Sequence, residues 1–425
     1  MLGSNNLMMK KKTIWFINKD AAPIEFYGTH LRTIKLAQYF QSEGYNVKLF
    51  CSSYVHNRNL CLSDSNKTFE EKTYDNIPFV LVNAGCGSTN GIRRIISYFR
   101  FAVKLFIHRK QFEKPDVIIH TSRIPFDIPI YQLAKKVKAK YIVDVTDLWP
   151  DSFVSLGLLG KNNPCVKIAY CLERYIYSKA DNVVFSMPGA VNYVRENGWD
   201  SDQGGTIDLN KLHYINNGID LNMFKPADKC ETKKLKKKYD LDARKIVLGV
   251  ASEWTPKKGL LDFIELSEMM QDIQFVIVGL TERQIKEMPK NIKGIKRTEN
   301  QRELAVLYTI ADVFFNPTYE DNFPTTNLEA LACGTPVITY DTGGSPEALE
   351  VKEKDLSISI GEVIEKTSPA TVSYETVKVR IYSFLKKNKN DIQSQVCRNA
   401  AMEYSAKNQF EKYIELYDEL IRKES

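Results

Sequence analysis

"DVFFNPTYEDNFPTTNLEALACGTPVITYDT", residues 312–342, decides the fold. It opens on a short β-branched and aromatic run, which reads as a buried strand. A loop carrying Glu320 and Asp321 follows, and then Pro324. Apolar residues at helical spacing come next, up to Ala332. Cys-Gly-Thr-Pro follows that helix. "PVITYDT" is a second strand. Two apolar strands joined by a helix make one parallel crossover unit.

The same alternation runs outward in both directions. Upstream lie the strands "TIWFIN" (13–18), "NVKLFCS", "DVIIHTS", "YIVDVTD", "NVVFSMP" and the short "HYINNGI". The helical pattern "HLRTIKLAQYFQSEG" separates the first two. After "NNGIDLNMFKPADK" (216–229) the series restarts with "KIVLGVAS", "QFVIVGL" and "DVFFNPT". The lysine-rich "KKLKKKYD" between the two series reads as a solvated helix face. We therefore expect two doubly wound α/β domains, over 10–220 and 221–402. A last helix over 403–425 is expected to pack back towards the first domain.

Composition agrees with two globular domains. The chain has 425 residues, 43% hydrophobic and 26% charged. No apolar run approaches the ~18 residues of a membrane-spanning helix. "MLGSNNLMMKKK" lacks the apolar segment of a signal peptide, and its first residues read as a tail. The eight cysteines form no CxxC pair and read as free thiols of a reducing, cytoplasmic compartment. A net charge of +7 suits anionic small molecules or a membrane face and does not single out nucleic acid as a partner.

Open α/β sheets bind ligands at the carboxyl ends of their strands. The loop 319–324 occupies such an end, with Pro324 expected as the first helical residue. The backbone N–H groups of Thr325, Thr326 and Asn327 then form a helix start that attracts phosphate. Glu329, one turn inside, is placed to accept from a ribose diol.

This segment resembles the donor-binding motif of retaining GT-B glycosyltransferases of family 4. In that pattern two acids stand eight positions apart, ahead of an Ala-x-Ala-Cys-Gly-x-Pro-Val run. Asp321 and Glu329 have that spacing, and "EDNFP" replaces the commoner Glu-Gly-Phe-Gly. The resemblance covers most of the chain and implies a GT-B architecture, two Rossmann-like domains facing across a cleft. It makes the first domain the acceptor side and the second the nucleotide-sugar side. It implies that Asp321 or Glu320 contacts the donor sugar. The backbone around Asn322, Phe323, Pro324, Thr325 and Thr326 would face sugar and diphosphate, and Glu329 the ribose. "FYGTHLRTIKLAQYF" resembles the first loop and helix of the family, with only Gly28 left of a glycine pair beside the diphosphate. "VLGVASEWTPKKGLLDF" resembles the segment of the diphosphate-neutralising cations. Lys258 matches the lysine there, but Glu253 stands where arginine is expected. Compensation by Lys257 or Arg297 is the favoured reading. In "YIVDVTDLWPDS", Asp147 is implied near the reacting sugar, with Asp144 facing it only if the strand ends early.

His120 and His30 are further cleft candidates near strand ends. "GIRRIISYFRFAVKLFIHRKQF" carries two apolar stripes. Ile92, Ile95, Ile96, Phe99, Val103 and Phe106 are expected to face the core. Tyr98, Phe101 and Leu105, flanked by Arg93, Arg94, Arg100, Lys104 and Arg109, are expected outside, towards an acceptor or an anionic membrane.

The expected activity is glycosyl transfer with retention, from an NDP-sugar, most simply a UDP-sugar, to a glycan or lipid-linked acceptor of a cell-surface polysaccharide. No metal is expected, since no acidic DxD-like site falls beside the phosphates. Two other classes stay open: an NDP-sugar epimerase or phosphorylase on the same fold, and a non-catalytic nucleotide-sugar-binding subunit. A nicotinamide dehydrogenase is disfavoured, because no GxGxxG joins the first strand and helix.

Overall fold

Buried β-branched runs become strands wherever the sequence alternates them with amphipathic helices. A computed structural model describes residues 12–26, 31–56, 59–63, 66–85, 92–155, 159–319, 321, 323–350, 359–365, 373–386 and 389–422. The chain divides into two units. One holds the described residues up to Ile215 together with those from Phe410 onward, and the other is Asn216–Gln409. The final helix, Ala406–Arg422, thus begins in the second unit and runs into the first.

The first unit's strands are β1 (Thr13–Ile17), β2 (Asn46–Ser52), β3 (Tyr54–Val55), β4 (Leu60–Cys61), β5 (Phe69–Tyr74), β6 (Ile77–Val82), β7 (Val117–Thr121), β8 (Lys140–Val145), β9 (Asn182–Phe185) and β10 (Leu212–Tyr214). Eight of them form one sheet in the order β10-β9-β8-β7-β1-β2-β6-β5. All pairs are parallel except β5 with β6. That hairpin was not foreseen; its signal is Asp75-Asn76, both at positive φ, between two strand-like runs. The order reverses between β1 and β7. Three helices matter for the site: α1 (Leu31–Ser42), α2 (Ile92–His108) and α3 (Asp127–Val137).

The second unit adds β11 (Lys245–Val250), β12 (Ile273–Val278), β13 (Ile292–Ile295), β14 (Val313–Asn316), β15 (Val337–Tyr340) and β16 (Gly361–Ile364). Their order, β13-β12-β11-β14-β15-β16, is the doubly wound arrangement, with every pair parallel. Side-chain alternation shows both faces covered. Ile246, Leu248 and Phe314 pack with Leu328 and Leu331 on one side. Val247, Val313 and Phe315 pack with Phe263 and Ile381 on the other. The strand order reverses between β11 and β14.

Two sequence expectations change here. In α2 the stripes are exchanged, apart from Phe106, which packs against the core as expected. Tyr98, Phe101, Ala102 and Leu105 are buried, while Ile95, Ile96, Phe99 and Val103 are exposed. Phe101, expected outside, is 3% exposed and belongs to the core. Small residues decide the choice. Ser97 and Ala102 lie on the buried side and permit the close approach that the bulkier arc would prevent. The second change is at the motif helix. It runs Thr325–Ala332, and Pro324 is its N-cap, at φ −71° and ψ 107°, rather than its first residue.

Candidate functional site

The second unit's switch point is built from two loops. After β11 the chain forms a turn, Pro256–Lys258, that ends at Gly259. After β14 it runs through Thr318, Tyr319 and Asp321 to the motif helix. The loops are tied together by the Tyr319 N–H, which donates to Lys257 O at 2.7 Å. Gly259 sits at φ +73°, and a Cβ there would lie 2.3 Å from Pro317 O, so only glycine fits. This closeness brings Lys258 Nζ to 2.5 Å from Asp321 Oδ2. The pair is one-third to one-fifth exposed, so it is reachable by a ligand. Gly343 closes the site from the next loop: its Cβ would meet Asp321 O at 2.0 Å.

The motif helix presents its start beside this pair. Among the described residues no side chain caps it, and its N-cap, Pro324, has no group that could. Of the three expected phosphate donors, Asn327 is removed from the set, because its N–H donates to Pro324 O at 3.1 Å. Its buried amide also joins Asn316 to Ser345 O, a bracing role. Thr325 and Thr326 remain half-buried at the opening turn. Phe323 is 6% exposed and packs 6.1 Å from Tyr404, so its ring anchors the loop and only its backbone can face a ligand. Its N–H donates to Asp321 Oδ1 at 3.2 Å. Glu329 accepts from Tyr308 Oη at 2.9 Å. Burial and then Glu329 push the Tyr308 phenol far above its usual pKa, which keeps it a donor. Tyr319 is held in turn by buried Asp262 at 2.6 Å.

Of the two cations expected to assist Lys258, Lys257 is its neighbour on the same turn, and Arg297 stands apart. Glu253 is exposed. Arg297 is exposed after β13, two strand spacings or about 10 Å from the β11 line. Among the described residues nothing pairs with it. Gly28, His30, Glu320 and Asn322 lie outside the described residues.

The first unit's switch point, between β1 and β7, holds a small pocket lined by Asn18, Lys19, Asp20, Tyr98, His120 and Arg123, with Phe101 and Phe126 as apolar walls. Of these the sequence points only to His120 and to Tyr98 and Phe101, the last two as one apolar stripe. Asn18 donates to Thr33 and Thr121, fixing the end of β1 against α1 and β7. Lys19 is buried 3.5 Å from Asp20, 3.0 Å from His56 Nε2 and 4.1 Å over the Tyr98 ring. Burial lowers its pKa, and Asp20 opposes that. Tyr98 donates to Asp20, and Arg94 stands 3.9 Å from the same carboxylate. Arg94 therefore belongs to the pocket's ion cluster. Burial, and then Lys19, lower His56 to about 4. His120 bonds Tyr141 Oη at 2.9 Å, and burial lowers its pKa too. Both imidazoles are neutral at pH 7.

Asp147, 45% exposed, pairs with Arg123 at 3.4 Å. Asp144 takes no part: it is buried inside β8, paired with Arg32 at 3.1 Å and bonded by Tyr413. Lys104 donates to Asn83 O, and Arg100 reaches the face of Gly85. The seven cysteines among the described residues are free.

Two family models match the chain: "Glycosyl transferase 4-like domain" over residues 28–206 and "Glycosyl transferases group 1" over 231–373. The chain is 30% identical over 149 residues to alpha-galactosylglucosyldiacylglycerol synthase of Streptococcus pneumoniae, covering 32% of this chain and 39% of that one. It is 26% identical over 263 residues to N,N'-diacetylbacillosaminyl-diphospho-undecaprenol alpha-1,3-N-acetylgalactosaminyltransferase of Campylobacter jejuni, covering 59% and 66%. The chain thus spans about two fifths of the first relative's length and just under two thirds of the second's. Sucrose-phosphate synthase of Thermosynechococcus elongatus shares the fold, with a TM-score of 0.72, 15% identity and 97% of this chain covered against 100% of that one. The two family models take up the two units in turn and the fold agrees, so the chain belongs to the family 4-type glycosyltransferases of GT-B fold.

Proposed function

We propose that this protein moves a sugar from a nucleoside diphosphate sugar, a UDP-sugar, to a glycan or lipid-linked acceptor, with retention at the anomeric carbon. The observation that carries the reading is the Lys258–Asp321 pair at the second unit's switch point, beside the start of the helix Thr325–Ala332. In transfer, the bond from the anomeric carbon to the diphosphate breaks and negative charge grows on the leaving oxygen. A lysine and a helix start aimed at that charge lower the barrier. The arriving diphosphate competes with Asp321 for Lys258. Asp321, released, accepts from donor-sugar hydroxyls. The acceptor oxygen attacks the same face, and its proton passes to the departing phosphate oxygen. Glu329, oriented by Tyr308, holds the ribose diol. Lys257, on the same turn as Lys258, or Arg297 supplies the second positive charge where Glu253 replaces arginine. No resident metal is needed for these steps.

Asp147, Arg123, His120 and the polar pocket of the first unit receive the acceptor. The names of both relatives mention lipid: a diacylglycerol product in one, a diphospho-undecaprenol acceptor in the other. This supports a lipid-linked acceptor and work at the cytoplasmic face of a membrane, in cell-surface polysaccharide synthesis. No helix among the described residues is long and apolar enough to cross a membrane.

The test is a nucleotide-sugar screen by thermal shift, followed by turnover with chelator present. Release of free UDP that depends on added acceptor, with the product's anomeric configuration unchanged by NMR, is expected. UDP-sugar binding without turnover would favour a non-catalytic subunit, the reading that exposed Glu253 supports. Conversion of the sugar without any acceptor would favour an epimerase.

A further inference from the structure

Helix α2 has an outward face that the proposed chemistry does not use. Ile95, Ile96, Phe99, Val103 and Ile107 are 40–60% exposed. At about 100° per residue they fill a single arc of roughly 120°. Five of the thirteen large apolar side chains exposed among the described residues sit on this one helix, and the rest are scattered over several elements. The arc is not idle helix surface that could rotate inward. Tyr98, Phe101, Ala102 and Leu105 hold the opposite side in the core.

Its charge is of one sign. Arg93 and Arg100 are exposed beside the arc, and Lys110 just beyond the helix is exposed as well. No Asp or Glu occurs between residues 92 and 112. The arc is also continuous with the pocket. Phe99 meets Phe126 edge-on at 5.0 Å, and Phe126 stacks on Tyr98 at 4.6 Å. Both Phe126 and Tyr98 line the cavity that holds Lys19, Asp20 and Arg123.

We propose that this face of α2 rests on an anionic lipid bilayer. A single convex helix with an apolar arc and a basic margin suits the headgroup boundary, where apolar groups enter the acyl edge and cations stay among phosphates. The aromatic bridge then leads an amphiphilic acceptor from the lipid surface to the polar pocket. Its hydrocarbon stays in the bilayer and its polar head enters between Tyr98, Phe126 and Arg123. This deepens the lipid-linked reading of the acceptor and rests on it for its purpose, but the binding itself is measured without donor or acceptor.

The experiment is flotation of the full chain with vesicles of phosphatidylcholine containing about a third phosphatidylglycerol, at low and high salt, with pure phosphatidylcholine vesicles as comparison. Binding to the anionic vesicles alone, weakened by salt, is expected. An Ile95→Glu, Ile96→Glu, Val103→Glu variant should bind at least ~10-fold less. It should melt like the parent and keep its transfer rate on a water-soluble acceptor. Val379→Glu, at a 62% exposed site on the helix Tyr374–Lys386, should bind like the parent. Full flotation of the triple variant, equal loss in Val379→Glu, or no flotation of the parent overturns the proposal. So does a parent dimer that the triple variant converts to monomer, which would give the face to a second copy. A parent that floats but transfers no sugar would sink the glycosyl-transfer reading and leave the bilayer contact standing.

Discussion

The two switch points solve different recognition problems. In the second unit, one ion pair and backbone at a helix start dominate: Lys258, Asp321 and the turn at Thr325. In the first, at least five polar side chains crowd one pocket around Lys19 and Asp20. A diphosphate is a fixed shape with fixed charge, and helix geometry already matches it. An acceptor differs from enzyme to enzyme and must be read by side chains. The difference teaches that short spacing rules reveal the first kind of site, and only tertiary structure reveals the second.

The largest test of that contrast is Lys258→Ala. Removing a preorganised charge from the leaving group is expected to lower kcat by ~10²-fold or more, with a small change in acceptor KM. Steady-state kinetics at saturating donor checks it. A loss confined to KM would make Lys258 a binding group only. Next is Arg123→Ala in the other pocket. It frees Asp147 and removes a charged donor, so acceptor KM should rise about 30-fold while donor KM holds. A rise in donor KM instead would merge the two roles that the comparison separates.

Legibility follows the same division. The segment 312–342 is readable because strand, loop and helix start are consecutive in the chain, and the spacing of Asp321 and Glu329 survives in sequence. The parallel sheets are readable because their strands are continuous apolar runs. The first unit's pocket draws on residues near 19, 56, 94–98 and 120–126, over a hundred positions. Lys19 by itself looks like any loop lysine; only burial against Tyr98 and His56 marks it. Asp144 shows the converse. It looks like a strand-end acid, yet a buried pairing with Arg32 and Tyr413, from residues far apart in the chain, makes it structural. In α2 the helical period yields two apolar arcs without saying which one meets the sheet.

Glu329→Ala sharpens the donor side. Deleting one charged acceptor of the ribose diol should weaken UDP binding about tenfold by calorimetry. Tyr308→Phe should weaken it less, since it removes only the group that orients Glu329. If Tyr308→Phe costs as much as Glu329→Ala, Tyr308 itself touches the nucleotide.

The smallest expected effect concerns stability of the acceptor pocket. His56 is held neutral, with its pKa lowered from 6.5 to about 4 by burial and then by Lys19; Asp20 opposes the shift and Arg94 adds to it. The unfolded chain therefore binds one more proton than the folded one between these values. Stability is full above pH 6.5 and falls as pH drops towards 4. Between pH 7 and 5.5 the loss is about 1 kcal/mol, from 1.36 kcal/mol per pH unit. For a unit of this size that lowers Tm by roughly 2–4 °C. His120, lowered in the same direction, adds to the slope. His56→Asn should flatten the dependence, while the donor-side variant Lys258→Ala should leave it as in the parent. Equal flattening by both would mean that the two switch points are not energetically separate, and the comparison on which these predictions stand would fail.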